Sequence, residues 1–269
     1  MDKIIIGYDP GGKNANGIAY LKVSQANKIT GFNSTTCNTL DEVLYWLFVE
    51  EQLNPGNILC AGIDAFLSWP TIGNWRPMDL YLQNKYSSVS SSVLCTNSAS
   101  GSMAIQGIQA AGVFVDHLPN IHFINETHPK VAYYALTHRK HDYYNDELNR
   151  KAKFVNMKNA KRMWLELSTW ITADSVSNFP GISTNSLVMG TEHEWDALFS
   201  AWFTYHYGIL DFRGDLMQLK INNHLNLGLT NEEKKRIIKS STTFLGEYYK
   251  QRIEVRNNLQ GKVKYVWPL

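Results

Sequence analysis

Apolar residues recur along this chain with two different periods. Residues 3 to 8, Lys-Ile-Ile-Ile-Gly-Tyr, form a short β-branched run ending at Asp-Pro-Gly-Gly, the pattern of a buried strand entering a turn. Gly17 to Val23 and Lys28 to Ser34 follow, separated by Ser-Gln-Ala-Asn, and together the three runs predict an antiparallel meander. Thr39-Leu-Asp-Glu is a capping box with Glu42 at its third helical position. It opens a helix with Val43, Leu44, Leu47 and Phe48 on one side, which Asn54-Pro55-Gly56 stops. Ile58 to Ile63 predicts a fourth strand ending at Asp64, and Asn120 to Ile124 a fifth ending near Glu126. Between them, Trp69 to Ser100 is rich in Ser, Pro and Gly and reads as a long loop, while 101 to 116 reads as a helix despite Gly107 and Gly112. Further helices are expected from Lys130, in the later part of the stretch up to Arg162, over Glu192 to Tyr207, and from Thr230-Asn-Glu-Glu onward. This order predicts an α/β fold: a mixed five-stranded sheet flanked by helices over residues 1–210, followed by a basic helical C-terminal extension over 211–269.

Composition sets the class. With 269 residues, 44% of them hydrophobic and 19% charged, the chain has material for a large core and is not disordered. Cys37, Cys60 and Cys95 are widely spaced and form no metal-binding or disulfide pattern, so a reducing compartment is expected. The first apolar run is too short for a signal peptide or a membrane span, and the protein is expected to be cytoplasmic, with no membrane partner. The net charge of +2 conceals a segregation: residues 130 to 162 carry nine Lys/Arg against three acids, and residues 234 to 264 nine against two, so the remainder is acidic. An acidic body with basic segments suits a protein that holds cations beside a polyanion, although solvated helix faces would give the same count.

Four acids stand where a carboxylate is costly: Asp9, Asp64 and Glu126 at the ends of apolar strands, and Asp196 inside Trp-Asp-Ala-Leu-Phe. The carboxyl ends of strands in an open α/β sheet are where ligands bind. On the last expected helix, Glu192, His193, Asp196, Ser200 and Thr204 form one polar stripe, while Trp195, Leu198, Phe199 and Trp202 fill the rest. Converging carboxylates repel one another unless a cation sits among them, and hard divalent ions take such oxygen ligands. Taken singly, each acid could instead cap a turn or a helix, or pair with a basic side chain.

Four blocks carry a resemblance. Ile-Ile-Gly-Tyr-Asp-Pro-Gly-Gly with the later Gly-Ile-Ala-Tyr, then Gly-Ile-Asp-Ala-Phe-Leu-Ser-Trp-Pro, then Glu-Thr-His-Pro, then His-Glu-Trp-Asp-Ala-Leu occur in the order of an uncharacterised family of predicted RNase H-like nucleases. That family is similar to the Holliday-junction resolvase branch of the RNase H superfamily, and the resemblance spans roughly residues 3 to 208. It implies an RNase H-like sheet and a metal-dependent nuclease that hydrolyses phosphodiester bonds of DNA or RNA, with two Mg²⁺ or Mn²⁺ ions held by Asp9, Asp64, Glu126 and Asp196. His193, one helical turn before Asp196, matches the place where resolvases carry a second acid or a His, and joins the implied catalytic set. The chain departs from the family in having Phe66 after Asp-Ala, and only Arg76 before Asp79 where a basic pair is usual.

Two rival readings use the same residues. Asp9-Pro-Gly-Gly-Lys with Gly17 also resembles the first phosphate loop of the sugar kinase and actin superfamily, but the sequence has no good second copy of that unit. A non-catalytic nucleic-acid-binding module on the same fold is the other. Within the basic segment, Arg139, Lys140, Lys151 and Lys153 are the expected nucleic-acid contacts. Tyr133, Tyr134, Tyr143, Tyr144 and Trp164 are interleaved with them, as in single-strand binding sites, although helix packing is the simpler account. Homo-oligomerisation through the last helix is left open.

Overall fold

The computed structural model describes residues 2–11, 15–67, 76–93, 101–144, 155–177, 189–213 and 263–267. Strands β1 (Lys3–Pro10), β2 (Asn16–Val23) and β3 (Ile29–Cys37) form the expected meander. β4 (Ile58–Ile63) and β5 (Phe123–Glu126) then extend it in parallel on the far side of β1. The sheet is therefore mixed, in the order β3-β2-β1-β4-β5-β6. It has one strand more than expected: β6 (Val263–Lys264) pairs in parallel with β5. The C-terminal residues described thus return to the sheet rather than continue a helix, and Tyr265, Val266 and Trp267 are buried. The helix expected from Thr230 lies outside the described residues.

Side-chain alternation sorts the strands onto two cores. Ile4, Ile6 and Tyr8 of β1, Ile18 and Tyr20 of β2, and Ala61 and Ile63 of β4 face one side. There they meet Val43 and Leu47 from α1 (Leu40–Tyr45) and the π-helical turn that continues it, and Ala110, Ala111 and Phe114 from α3 (Gly101–His117). Ile5 of β1, Ala19 and Leu21 of β2, and Cys60 of β4 face the other side. There they meet α6 (Glu192–Tyr205), backed by α4 (Pro129–Thr137) and α5 (Met157–Ala173). Thr39 Oγ1 accepts from the Glu42 amide, the predicted cap, whereas the Glu42 carboxylate accepts from the amide and side chain of Asn38, one residue before the position a capping box would use.

Two boundaries differ from expectation. The stretch read as a long loop contains α2 (Pro77–Lys85) and a 3₁₀ segment (Ser87–Ser92). Its helix-forming signals, a Pro at the first helical position and an Asp at the third, are masked by the surrounding serines. β5 begins at Phe123 because a turn closed by the Ile121 amide on Leu118 O occupies the preceding residues. Cys37 and Cys60 are buried and free, and Cys95 lies outside the described residues. No helix among the described residues is long and apolar enough to cross a membrane.

Candidate metal centre

The site is made by how closely α6 approaches the sheet. A Cβ on Gly7 would lie 1.9 Å from Ala197 O, one on Gly62 2.4 Å from Ser200 O, and one on Gly17 2.0 Å from His193 O. Glycine on three neighbouring strands thus lets the backbone of α6 lie directly on β2, β1 and β4. Every residue of α6 from Trp195 to Tyr205 is buried, so its polar stripe has nowhere to go but the strand ends. Each member of that stripe has a partner. Thr204 Oγ1 accepts from Asn125 Nδ2 at 3.0 Å, and Ser200 Oγ and Thr127 Oγ1 are 2.8 Å apart. Asp196 Oδ1 meets His141 Nε2 at 3.0 Å, His193 Nδ1 meets Asp9 Oδ2 at 2.6 Å, and Glu192 Oε1 lies 3.5 Å from Lys130 Nζ.

Asp9 and Asp64 fall on the α6 face of the sheet, in phase with Ile5 and Gly7 on β1 and with Cys60 and Gly62 on β4. The Asp64 amide bonds Tyr8 O at 2.9 Å, which sets the two strand ends side by side. Among the described residues the Asp64 carboxylate has no hydrogen-bond or ion-pair partner. Its pKa is pushed well above the ordinary carboxylate value, first by burial and then by the charges of Asp9 and Asp196. Burial also raises Asp9, to about 6, against the opposing bond from His193, whose own pKa that bond raises. Asp196 is the exception: burial alone would raise it, but His141, Lys130 and His193 outweigh burial and hold it below its usual value. Burial would lower Lys130, but Asp196, Glu192, Asp64 and Asp9 hold its ammonium above its ordinary range. The Lys130 ammonium, with the rings of His141 and His193 bonded to Asp196 and Asp9, thus stands among an acidic cluster of Asp9, Asp64, Glu192 and Asp196.

Glu126 is not part of that cluster, contrary to the sequence expectation, and the reason is strand parity. Asn125 and Thr127, on either side of it, both bond α6, so Glu126 points away from the helix. Its two carboxylate oxygens are bound by the guanidinium of Arg76, with a further bond from the Leu67 amide at 2.8 Å. Arg76 also grips Asp79, at 2.8 Å from Nε and 2.7 Å from Nη2, and all three side chains are buried. The register pairs Ile63 with Glu126, so the residue level with Asp64 is Thr127. Arg76, which stands where the resembled family has a basic pair, is here the centre of a buried Asp79–Arg76–Glu126 triad.

The three donors that come closest together include one the sequence did not single out. Ligand atoms of His141, Glu192 and Asp196 all lie within 4.8 Å of one another, the one such group among the described residues. His141 follows the end of α4 in a stretch without periodicity, between Lys140 and Asp142, and nothing in its surroundings marks it. Lys130 was countable only as one of many basic residues. Its position at the start of the helix that follows β5 puts it at the same end of the sheet as Asp9 and Asp64.

No family model, curated protein or solved structure matches this chain.

The expected nucleic-acid contacts separate. Arg139 is exposed and ion-paired to Glu166, and Lys140 is exposed; Lys151 and Lys153 lie outside the described residues. The interleaved aromatics belong to the core. Tyr133 is fully buried and stands edge-on to Trp195 at 5.5 Å, Tyr143 bonds Gly190 O, and Trp164 Nε1 donates to Tyr143 Oη at 3.2 Å. Packing, not base stacking, accounts for Tyr133, Tyr143 and Trp164.

Proposed function

We propose that this protein is a divalent-metal-dependent nuclease of RNase H-like architecture that hydrolyses phosphodiester bonds in DNA or RNA. The observation that carries this reading is Asp64: a half-buried carboxylate at the end of β4 with no partner among the described residues, repelled by Asp9 at the end of the adjacent β1 and by Asp196 on the helix that crosses both. Three mutually repelling carboxylates are a donor set that fits Mg²⁺ or Mn²⁺, and a cation would relieve the strain burial places on them. Asp9, Asp64 and Asp196 would hold the metal, two ions by the resemblance. When bound, the ions would polarise the scissile phosphate and lower the pKa of a water nucleophile.

The chain's own groups supply the remainder. Asp9 accepts from His193 Nδ1, which orients the ring and leaves its other nitrogen to carry a proton near neutral pH; the His193 side chain is 30% exposed, enough to meet substrate. Lys130, held cationic by four acids, can attract the phosphate, and the exposed Lys140 adds positive charge at the end of α4. Labelled DNA and RNA, incubated with the protein and Mg²⁺ or Mn²⁺, test the proposal: Asp64→Asn with preserved folding should abolish cleavage, and cleavage that survives would overturn it.

A further inference from the structure

We propose that His141, Glu192 and Asp196 form a binding site for one nitrogen-accepting divalent ion of the Mn²⁺ or Zn²⁺ class. The proposal rests on the nuclease reading only in that it shares Asp196 with the carboxylate cluster. The geometry is specific. Glu192 and Asp196 are four residues apart on α6 and so project from one face of a helix that is buried from Trp195 onward. His141 comes from a separate segment and completes the trio within 4.8 Å.

His141 is what separates this group from a mere patch of acids. Its side chain is 1% exposed, and its Nδ1 is a buried polar atom with no hydrogen-bond partner among the described residues, 3.6 Å from Glu192 Oε1. A buried nitrogen without a bond carries a desolvation cost that a ligand would remove. The ring is also held in place: Trp195 stands edge-on at 5.0 Å, Tyr133 edge-on at 6.3 Å, and Tyr143 stacks at 6.5 Å. Aromatic walls of this kind fix a ligating imidazole and limit water access. Two carboxylates and a neutral imidazole offer two negative charges to a dication, with one nitrogen donor that suits Mn²⁺ or Zn²⁺ better than the all-oxygen preference of Mg²⁺. In the protein alone, the Lys130 ammonium beside Glu192 provides the positive charge at this place. A bound dication would take over that role.

The test is an equilibrium titration of the full chain, stripped with chelator, against Mn²⁺, Zn²⁺ and Mg²⁺ separately. Bound ion is measured directly after dialysis for the wild type and for His141→Phe, Glu192→Gln and Asp64→Asn. The wild type should bind Mn²⁺ or Zn²⁺. His141→Phe and Glu192→Gln should each weaken binding of the His141-dependent ion by at least about tenfold, since loss even of an outer-shell partner has this effect, and that ion should still bind in Asp64→Asn, whatever ion the carboxylates lose. Bound Mn²⁺ should show nitrogen coupling in electron paramagnetic resonance that His141→Phe removes and His193→Ala leaves. If His141→Phe fails to fold, Glu192→Gln decides, because Glu192 lies in the first turn of α6. Undiminished Mn²⁺ and Zn²⁺ binding in His141→Phe and Glu192→Gln, binding of Mg²⁺ alone, or no binding of any of the three by the wild type overturns the proposal. Loss of cleavage in Asp64→Asn together with unchanged metal binding in His141→Phe would reject this site and leave the nuclease reading standing. Metal binding that needs His141, with no cleavage by the wild type, would do the reverse.

Discussion

Gly7→Ala is the sharpest probe of how this site is held together. The added Cβ would sit 1.9 Å from Ala197 O and 2.6 Å from Ala201 N, both backbone atoms of α6. Ordinary non-bonded separations between heavy atoms are about 3.5 to 4 Å, so the helix would have to lift by roughly 1.5 Å at this point. Neither side can give easily: β1 is bonded on both edges to β2 and β4, and α6 is buried on all its faces. Overpacking typically costs about 1 to 3 kcal/mol, and an obstacle made of backbone places this substitution near about 3 kcal/mol. At about 2 to 4 °C per kcal/mol for a chain of this size, the expected fall in Tm is about 6 to 12 °C. Urea and thermal unfolding followed by circular dichroism measure it. Gly112→Ala in α3 is the matched control: nothing lies within 4 Å of its added Cβ, and relief of the glycine penalty inside a helix should gain about 0.5 to 1 kcal/mol. A loss below about 1 kcal/mol for Gly7→Ala would refute the claim that backbone-on-backbone contact sets the distance between α6 and the strand ends.

Arg76→Met would leave Asp79 and Glu126 buried without their shared cation and should cost about 3 to 5 kcal/mol in urea unfolding, part of which Arg76→Met combined with Glu126→Gln should recover. Asp64 tests the electrostatics with a sign that is easily read. Because its folded-state pKa is raised, the folded protein binds more protons than the unfolded chain above the ordinary Asp value of about 3.9, so Asp64 lowers stability progressively as pH rises from there. In chelator, Asp64→Asn should therefore be more stable than the wild type at about pH 7.5, and the difference in Tm should shrink towards about pH 4.5. A difference independent of pH would mean that Asp64 is not strained by its neighbours.

Much of this was readable in the sequence, and for physical reasons. β1, β2 and β4 carry apolar runs with clear stops, and the Thr39 cap of α1 is a local code that tertiary structure left alone. Asp9, Asp64 and Asp196 stood out because a carboxylate among apolar residues demands a partner. Glu126 satisfied the same criterion and found a different partner, because sequence shows that an acid ends a strand but not which face it occupies until a neighbouring strand's register is known. β6 is too short to declare itself, and α2 is obscured by the composition around it. His141 was invisible for a deeper reason: its position depends on how the segment after α4 folds back onto α6, a non-local arrangement with no periodic trace.

The sixth strand has a consequence for how the chain matures. Residues 263–267 bond through the Val266 amide to Asn125 Oδ1, and their Trp267 ring packs against Phe203 of α6 and Tyr86. Until these residues have emerged from the ribosome, β5 is an open parallel edge with bare amides and carbonyls, and the far end of α6 lacks its aromatic cover. A nascent chain is thus exposed to wrong strand pairing through the whole interval in which residues 127 to 262 are being made, and only at its close can α6 be clamped from both ends.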